Sequence, residues 1–570
     1  MLRKNMRAWS LVAAVAIFGT QVSTSAQGQQ NARQQPVVES SSPVRRITVD
    51  DAVRLAIQNN LGVQVARLNP QIEDLNVALA RSNWAPSFNS TFQKSSTDTP
   101  NTGFLTGATG GADKITSGNL ASNVGISQTV PWGGGNYQVG WDSSRATSTS
   151  AFQSFNPQLR SSFSFQYVQP LLRGLGIDGI RQQLLVSYKN RDIADIQLRQ
   201  SIATTTRTVR NAYWDLAYAI AFFQVQQQSL DLANESLRNT RARVEIGTTP
   251  PIDIVEAEAE VATREEAVIV AQTQIETSQD TLRTLVYDPQ TPDFWNIQFE
   301  PAELPSFQPT VIDVNTAVLN ALDRRTDLQQ SKRSLEATDI NIKYQKDQTL
   351  PEINAQVNYG LSGIGGLPVN SFSLPGQSLP ILPPRGFGSV LGDLFSNSFP
   401  AWTAALTIRY PLGTSPAEAG LARSRLQYSQ TQTQIRNQQL QVVTQVRQAA
   451  RQAQTNRKRV DTTGASRQLA ERRLEAEQRK FAAGTSTNFL VFQAQRDLAQ
   501  ARNNELRAIL DYQQSLVDFD TVQEVPLNGG GAVSSPSTGT GTTGVLATGG
   551  GGAAATAAGT ANTTGATAGR

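Results

Sequence analysis

The sequence contains no cysteine and no histidine. The first absence excludes disulfides, thiolate chemistry and cysteine-ligated metals, and leaves no thiol to carry a lipid. The second removes the commonest general base and the commonest transition-metal ligand. Serine–histidine catalysis and histidine-ligated zinc are therefore excluded, while carboxylate or lysine chemistry stays open. Beyond the N-terminal segment, no stretch reaches the run of about 18 apolar residues that a spanning helix needs. A mean hydropathy of -0.33 is likewise unsuited to a bundle of such helices. Any membrane insertion must then be as a closed β-barrel. An excess of one charge is also missing. Lys plus Arg is 50 and Asp plus Glu is 46, a net of +4. Setting aside Arg3, Lys4 and Arg7 leaves 47 against 46. That balance gives no footprint for nucleic acid. No Walker A motif is present, and the glycines between Gly539 and Gly552 lack the Lys-Ser/Thr that cradles phosphate.

What is there begins with an export signal. Residues 1–26 have a basic start, an apolar run from Leu11 to Phe18 and a small-residue exit at Thr24-Ser25-Ala26. They read as a cleaved signal peptide. The run is well short of the ~20 residues a membrane anchor requires. Residues 27–46 form a polar lead-in. Residues 527–570 are almost wholly Gly, Ala, Thr and Ser, and are expected to be a disordered tail.

Between these ends the chain repeats itself once. The stretch from Ile47 aligns without a gap with that from Ile312. Pro86 then falls on Pro351, Ala52 on Ala317, Ala56 on Ala321 and Asp74 on Asp339. Each stretch reads as helix, then Pro, then alternating strand, because Pro biases its predecessor toward extended backbone. Val244–Val261 also aligns with Phe481–Leu498, placing Gly247 on Gly484, Thr248 on Thr485 and Ala257 on Ala494. The order in each half is short helix, strands, long helix, glycine turn, helix. A repeat this long means duplicated domains rather than a solenoid, here residues 47–307 and 308–526.

The long segments carry a seven-residue period. Val209, Leu216, Phe223, Leu230, Leu237 and Val244 recur at that spacing, with Ala212, Ala219, Ala233 and Thr240 three residues later and Gln226 interrupting. Ile254, Val261, Val268, Ile275 and Leu282 continue it after the turn. Such a seam faces partner helices along its whole length, which is the coiled-coil pattern. The intervening strands alternate instead. Candidate strands centre on Phe88, Val124, Tyr137 and Phe163, then on Val357 and Leu406, with Ser, Thr, Asn, Gln and Gly on the opposite face. Each is about ten residues, the length of a transmembrane strand. A half-buried soluble sheet has the same period, but export and aromatic enrichment favour the barrel. So few strands cannot close a roomy barrel in one chain, so several chains must contribute. Ser95–Ser117 and Gly363–Ser398 are expected to be external loops.

At this point the chain resembles the TolC-like outer membrane efflux proteins. The resemblance is carried by the duplicated order, by QPLLRGLG (Gln169–Gly176), by RYPLG (Arg409–Gly413) and by the two helix–glycine–helix tips. It covers roughly Ile47 to Pro526. It implies an α+β membrane protein, with a trimeric outer-membrane β-barrel continued by a periplasmic α-helical tunnel. It also implies two structural repeats and four strands per chain. The implied role is passive: an outer-membrane channel of an efflux or type I secretion system, with no enzymatic activity and no cofactor. The implied partners are two further copies of the chain, a periplasmic adaptor, indirectly an inner-membrane pump, and outer-membrane lipid. The four candidate strands of the first half depart from the family's usual two.

The candidate site residues follow from the same resemblance. Gly247, Thr248, Gly484 and Thr485 would form the periplasmic tips that touch the adaptor. The tunnel constriction would lie six and nine residues after each tip glycine, at Asp253 and Glu256 and at Leu490 and Gln493. An acidic ring would have to come from the first repeat, where confined carboxylates favour cations. The competing reading is that Asp253 and Glu256 simply suit a helix N-terminus. Glu256, Glu258 and Glu260 read as a solvated helix surface rather than a catalytic or metal group. The alternative for the whole chain is an exported coiled-coil structural or adhesive protein without a pore.

Overall fold

The computed structural model describes residues 44–101, 113–150, 153–290, 294–303, 307–369, 383–413 and 415–527. The signal peptide, most of the lead-in and the tail beyond Leu527 lie outside the described residues. The first half runs β1 (Val44–Ile47), α1 (Val49–Asn59), α2 (Leu61–Ser82), β2 (Ser87–Pro100), β3 (Lys114–Thr129), β4 (Asn136–Ser148), β5 (Phe155–Pro170), α3 (Gly179–Glu245) and α4 (Ile252–Val286). A short β6 (Gln298–Pro301) leads into the second half. That half runs α5 (Val314–Arg324), α6 (Thr326–Gln348), β7 (Glu352–Pro368), α7 (Phe387–Phe395), β8 (Pro400–Arg409), α8 (Pro416–Ala482) and α9 (Asn488–Val522). It is a mixed α+β, largely helical fold with two helical repeats.

The two repeats are matched in detail. α3 and α8 are both 67 residues, and α4 and α9 are both 35. At ~1.5 Å per residue the longer pair spans about 100 Å. Both long helices start at side-chain caps. Asp178 accepts from the Arg181 N–H at 2.7 Å. Ser415 and Glu418 form a reciprocal capping box with Pro416 following. The aligned alanines occupy equivalent cores. Ala52 and Ala56 are buried with Val209, Leu216 and Leu282, and Ala317 and Ala321 with Val442, Val446 and Phe519. The seven-residue seam is buried at Val209, Ala212, Leu216, Ala219, Ala233, Leu237 and Thr240. Its interruption, Gln226, is buried too, and its amide reaches Asn503 of α9 at 3.5 Å. β1 and β6 pair in parallel, a contact between residues some 250 apart that no local pattern announces. The connection between repeats is clasped by two buried phenols. Tyr213 donates to Ile47 O at 3.3 Å and accepts from Glu303 N at 3.1 Å. Tyr512 donates to Gln308 O at 3.2 Å and accepts from Thr310 N at 3.1 Å.

The remaining six strands form one antiparallel sheet in the order β2-β3-β4-β5-β7-β8. This corrects the expectation of four strands per chain, since all four candidate strands of the first half are separate members. Most strands also exceed the expected ten residues: β3 and β5 have 16 and β7 has 17. Part of the expected loop Ser95–Ser117 is therefore strand. There Asp98 takes Lys114 at 2.6 Å and Thr116 at 2.7 Å. Such cross-strand polar pairs hold a ladder where apolar alternation has stopped. Part of the expected loop Gly363–Ser398 is strand and helix α7, while residues 370–382 lie outside the described residues.

Register divides the sheet into two chemically opposite faces. Phe88, Ile126, Val139, Phe165, Tyr359 and Trp402 lie across from one another on one face. Ser90, Val124, Trp141, Phe163 and Leu361 follow on the same side. The other face carries Asn89, Asn123, Gln138, Gln166, Asn358 and Thr403. No described helix is long and apolar enough to cross a membrane.

Candidate tips and constriction

Each long helix ends in the same turn. Gly247 and Gly484 have φ of 79 and 73 degrees. The Gly247 N–H bonds to Val244 O at 2.9 Å, and the Thr248 N–H to Arg243 O at 2.9 Å. The Gly484 N–H bonds to Phe481 O at 3.1 Å, and the Thr485 N–H to Lys480 O at 2.9 Å. These are paired Schellman motifs, which close the last carbonyls of a helix through a left-handed residue. Both threonine hydroxyls add a second bond to the same carbonyls, at 2.9 and 3.1 Å. Nothing lies within 4 Å of the position a Cβ would take at either glycine. Backbone conformation, not lack of room, requires glycine at these two places.

The two tips are brought together. The Arg243 guanidinium lies 4.4 Å from the centre of the Phe481 ring. Asn488 donates to Thr240 Oγ1 at 3.3 Å. Phe492 of α9 is buried among Ala233, Leu237, Ala257 and Val261 of the first hairpin. Ile246, Ile252, Val255 and Phe489 remain exposed around the turns.

Asp253 is half-buried in the first turn of α4, and Glu256 is exposed one turn further on. Neither carboxylate forms an ion pair among the described residues. α4 starts at Pro251 without a side-chain cap bond, with Asp253 in its first turn. Leu490 and Gln493 are exposed on α9, while their neighbours Val491, Phe492 and Ala494 are buried. At the second tip Lys480, and then Ser486, hold the Glu477 carboxyl below its usual range.

Glu260 departs from the solvated-surface reading. It is buried, bonded to Arg264 at 2.6 Å and to Arg496 of α9 at 3.2 Å. It thus ties the two hairpins together. The i,i+4 spacing of Glu260 and Arg264 was a visible signal, but the partner on α9 was not. Glu258 pairs with Arg241 at 2.7 Å on the open surface. No group of three or more metal-ligating side chains occurs among the described residues. A cleft of about 770 Å³ between α3, α6 and α8 is lined mostly by Gln, Ser and Thr, together with the paired Arg325 and Asp327.

This fold is shared with solved outer-membrane channels. The chain is similar to the Campylobacter jejuni CmeC outer membrane channel at 13% identity and a TM-score of 0.58, over 84% of this chain and 85% of that one. It is similar to the open state of the Neisseria gonorrhoeae MtrE outer membrane channel at 16% identity and a TM-score of 0.56, over 84% and 89%. Its likeness to the outer membrane protein VceC of Vibrio cholerae has 15% identity and a TM-score of 0.56, over 84% and 96%. At these identities the likeness is one of fold. No curated protein matches the chain. A family model described as outer membrane efflux protein matches residues 136–286 and 317–522, more than half of the sequence. The first matched segment starts at the first residue of β4, so the hairpin β2–β3 lies outside it. With both helical hairpins inside the match, the chain belongs to the outer membrane efflux protein family.

Proposed function

We propose that this chain is one third of an outer-membrane channel that passively conducts substrates from a periplasmic pump–adaptor complex to the exterior. The observation that carries the reading is the sheet. Its apolar face and polar face suit lipid on one side and a water-filled lumen on the other. Its two edge strands, β2 and β8, are open in a single chain. Open edges are not tolerated in lipid, so closure requires β2 of one copy beside β8 of the next. Three copies of a six-stranded sheet give a barrel of eighteen strands. The long helices, with their buried seams, form the periplasmic tunnel. The family's transport role makes catalysis and a cofactor unnecessary.

The constriction is proposed at the first repeat. Asp253 and Glu256 from three copies would place six carboxylates near one axis and favour cations. In planar bilayers, Asp253→Asn with Glu256→Gln is expected to reduce cation selectivity several-fold, with a smaller change for Gln493→Ala. Identical reversal potentials for wild type and the double variant, with trimers intact, would leave a favourable helix start as the role of these residues.

The tips Gly247-Thr248 and Gly484-Thr485 are proposed to contact the adaptor, supported by the exposed Ile246 and Phe489 beside them. A β-branched residue at either glycine meets open space but a forbidden backbone, at a cost of roughly 1–2 kcal/mol. Gly247→Val and Gly484→Val should therefore reshape the turns locally. Trimers should still assemble while crosslinking to the adaptor falls. Unchanged crosslinking in both variants would remove the contact.

A further inference from the structure

Helix α7 lies in the connection between β7 and β8, and the register shows which side of the sheet it covers. Gly363 and Gly365 share the alternation of Tyr359 and Leu361, the apolar face. A Cβ at Gly363 would collide with Val390 O, and one at Gly365 would stand 2.7 Å from Val390 Cγ2. The helix therefore sits where those side chains would point. Tyr359, also on the apolar face, donates its hydroxyl to Asn397 just after the helix at 2.7 Å. Ser161, opposite Gly363, is buried, and there it meets Trp141 Nε1 at 2.8 Å and Ser143 at 3.0 Å. On the polar face, a Cβ at Gly360 would meet only neighbouring backbone at 3.7 and 3.8 Å. α7 is thus on the outside of the sheet and does not plug its polar side.

Its own chemistry matches that place. Val390 and Leu394 are buried, Val390 against the glycine floor. Arg385 and Asp393 pair at 2.7 Å and fix the entry to the helix. Phe387, Phe395 and Phe399 remain exposed, Phe395 to 88%. The apolar band along β7 runs from Ile353 to Leu361, which at ~3.3 Å per residue is about 26 Å of strand. Tilted by ~40°, that is about 20 Å of height, against about 25 Å for the outward band of a membrane barrel. The next outward positions, Gly363 and Gly365, then fall at the band's outer rim. Lys94 and Arg145 are exposed in the same cross-strand row as Gly365, a charge that suits lipid phosphates and not acyl chains.

We propose that α7 is an interfacial helix of the barrel exterior, lying in the outer leaflet with Phe387 and Phe395 at the boundary between headgroups and acyl chains. Its partner is the lipid surface itself. Exposed aromatic side chains at the rim of an apolar band, level with exposed basic residues on neighbouring strands, match the aromatic girdle of a membrane barrel's interface. The inference rests on the channel reading above, and its test separates the two.

The absence of cysteine makes single labelling sites clean. Phe395→Cys, Leu406→Cys and Ser362→Cys would each carry a nitroxide in the reconstituted full-length assembly, read by collision with oxygen and with a water-soluble nickel chelate. The label at position 395 is expected to resemble that at 406, oxygen-rich and several-fold less accessible to nickel than that at 362. Nickel access at 395 equal to that at 362, with 406 still lipid-like, overturns the proposal and leaves the channel intact. An immobile label at 395 shielded from both reagents also overturns it, since protein then covers the helix. Nickel access at 406 overturns both readings.

Discussion

Leu406→Arg is expected to abolish insertion into lipid, and Thr407→Arg to leave it nearly unchanged. The two residues are neighbours on β8 but face opposite ways. Leu406 lies across from Ala355 on the apolar face, and Thr407 across from Asn354 on the polar one. Leu406 is 59% exposed in the single chain, so a soluble sheet would accept arginine there. In a bilayer the same change costs about 2–4 kcal/mol near the midplane, and a threefold assembly incurs that cost in every copy. Flotation of the purified proteins with liposomes is the measurement. Loss of flotation for Leu406→Arg alone supports the lipid assignment of the apolar face. Equal flotation of both variants contradicts it.

The second large effect concerns the tips. Glu260→Ala removes the shared acceptor of Arg264 and Arg496 and leaves a largely buried guanidinium without its partner. Breaking buried pairs this way costs about 3–5 kcal/mol. The open position of Arg496 brings the expectation here to about 2–3 kcal/mol after allowance for solvent screening. The junction of α4 and α9 should loosen, seen as faster hydrogen exchange over residues 252–264 and 488–500. Glu258→Ala, which removes only the surface pair with Arg241, should change exchange little, since exposed pairs contribute about 0–1 kcal/mol. Equal protection in the two variants would mean that Glu260 does not hold the hairpins together.

Much of the architecture was legible because it is local or periodic. Pro86 and Pro351 stand just before β2 and β7, where a helix has given way to a strand. The seven-residue seam announced helices far longer than a compact domain allows. Gly247 and Gly484, matched by alignment, proved to take the same left-handed turn. The failures have physical causes. Strand ends such as Thr97–Pro100 and Lys114–Ser117 are polar but for Ile115, which lies on the face opposite the apolar one, so alternation vanishes while the backbone ladder continues. α7 is a nine-residue helix whose bed is made of glycines, which carry no hydrophobic signal. Of the two partners that hold Glu260, Arg264 stands at a visible i,i+4 spacing, but Arg496 lies more than two hundred residues away. The extra hairpin β2–β3 was visible as candidate strands, and only the register shows that it is a full part of the sheet.

That hairpin makes the central claim measurable. Electron cryomicroscopy of the detergent-purified particle, at a resolution that separates strands, counts the barrel directly. The account predicts a threefold particle with eighteen strands, β2 of each copy beside β8 of the next, continuing into one helical tunnel. A particle of single chains, or a closed barrel with only four strands from each copy, would contradict it.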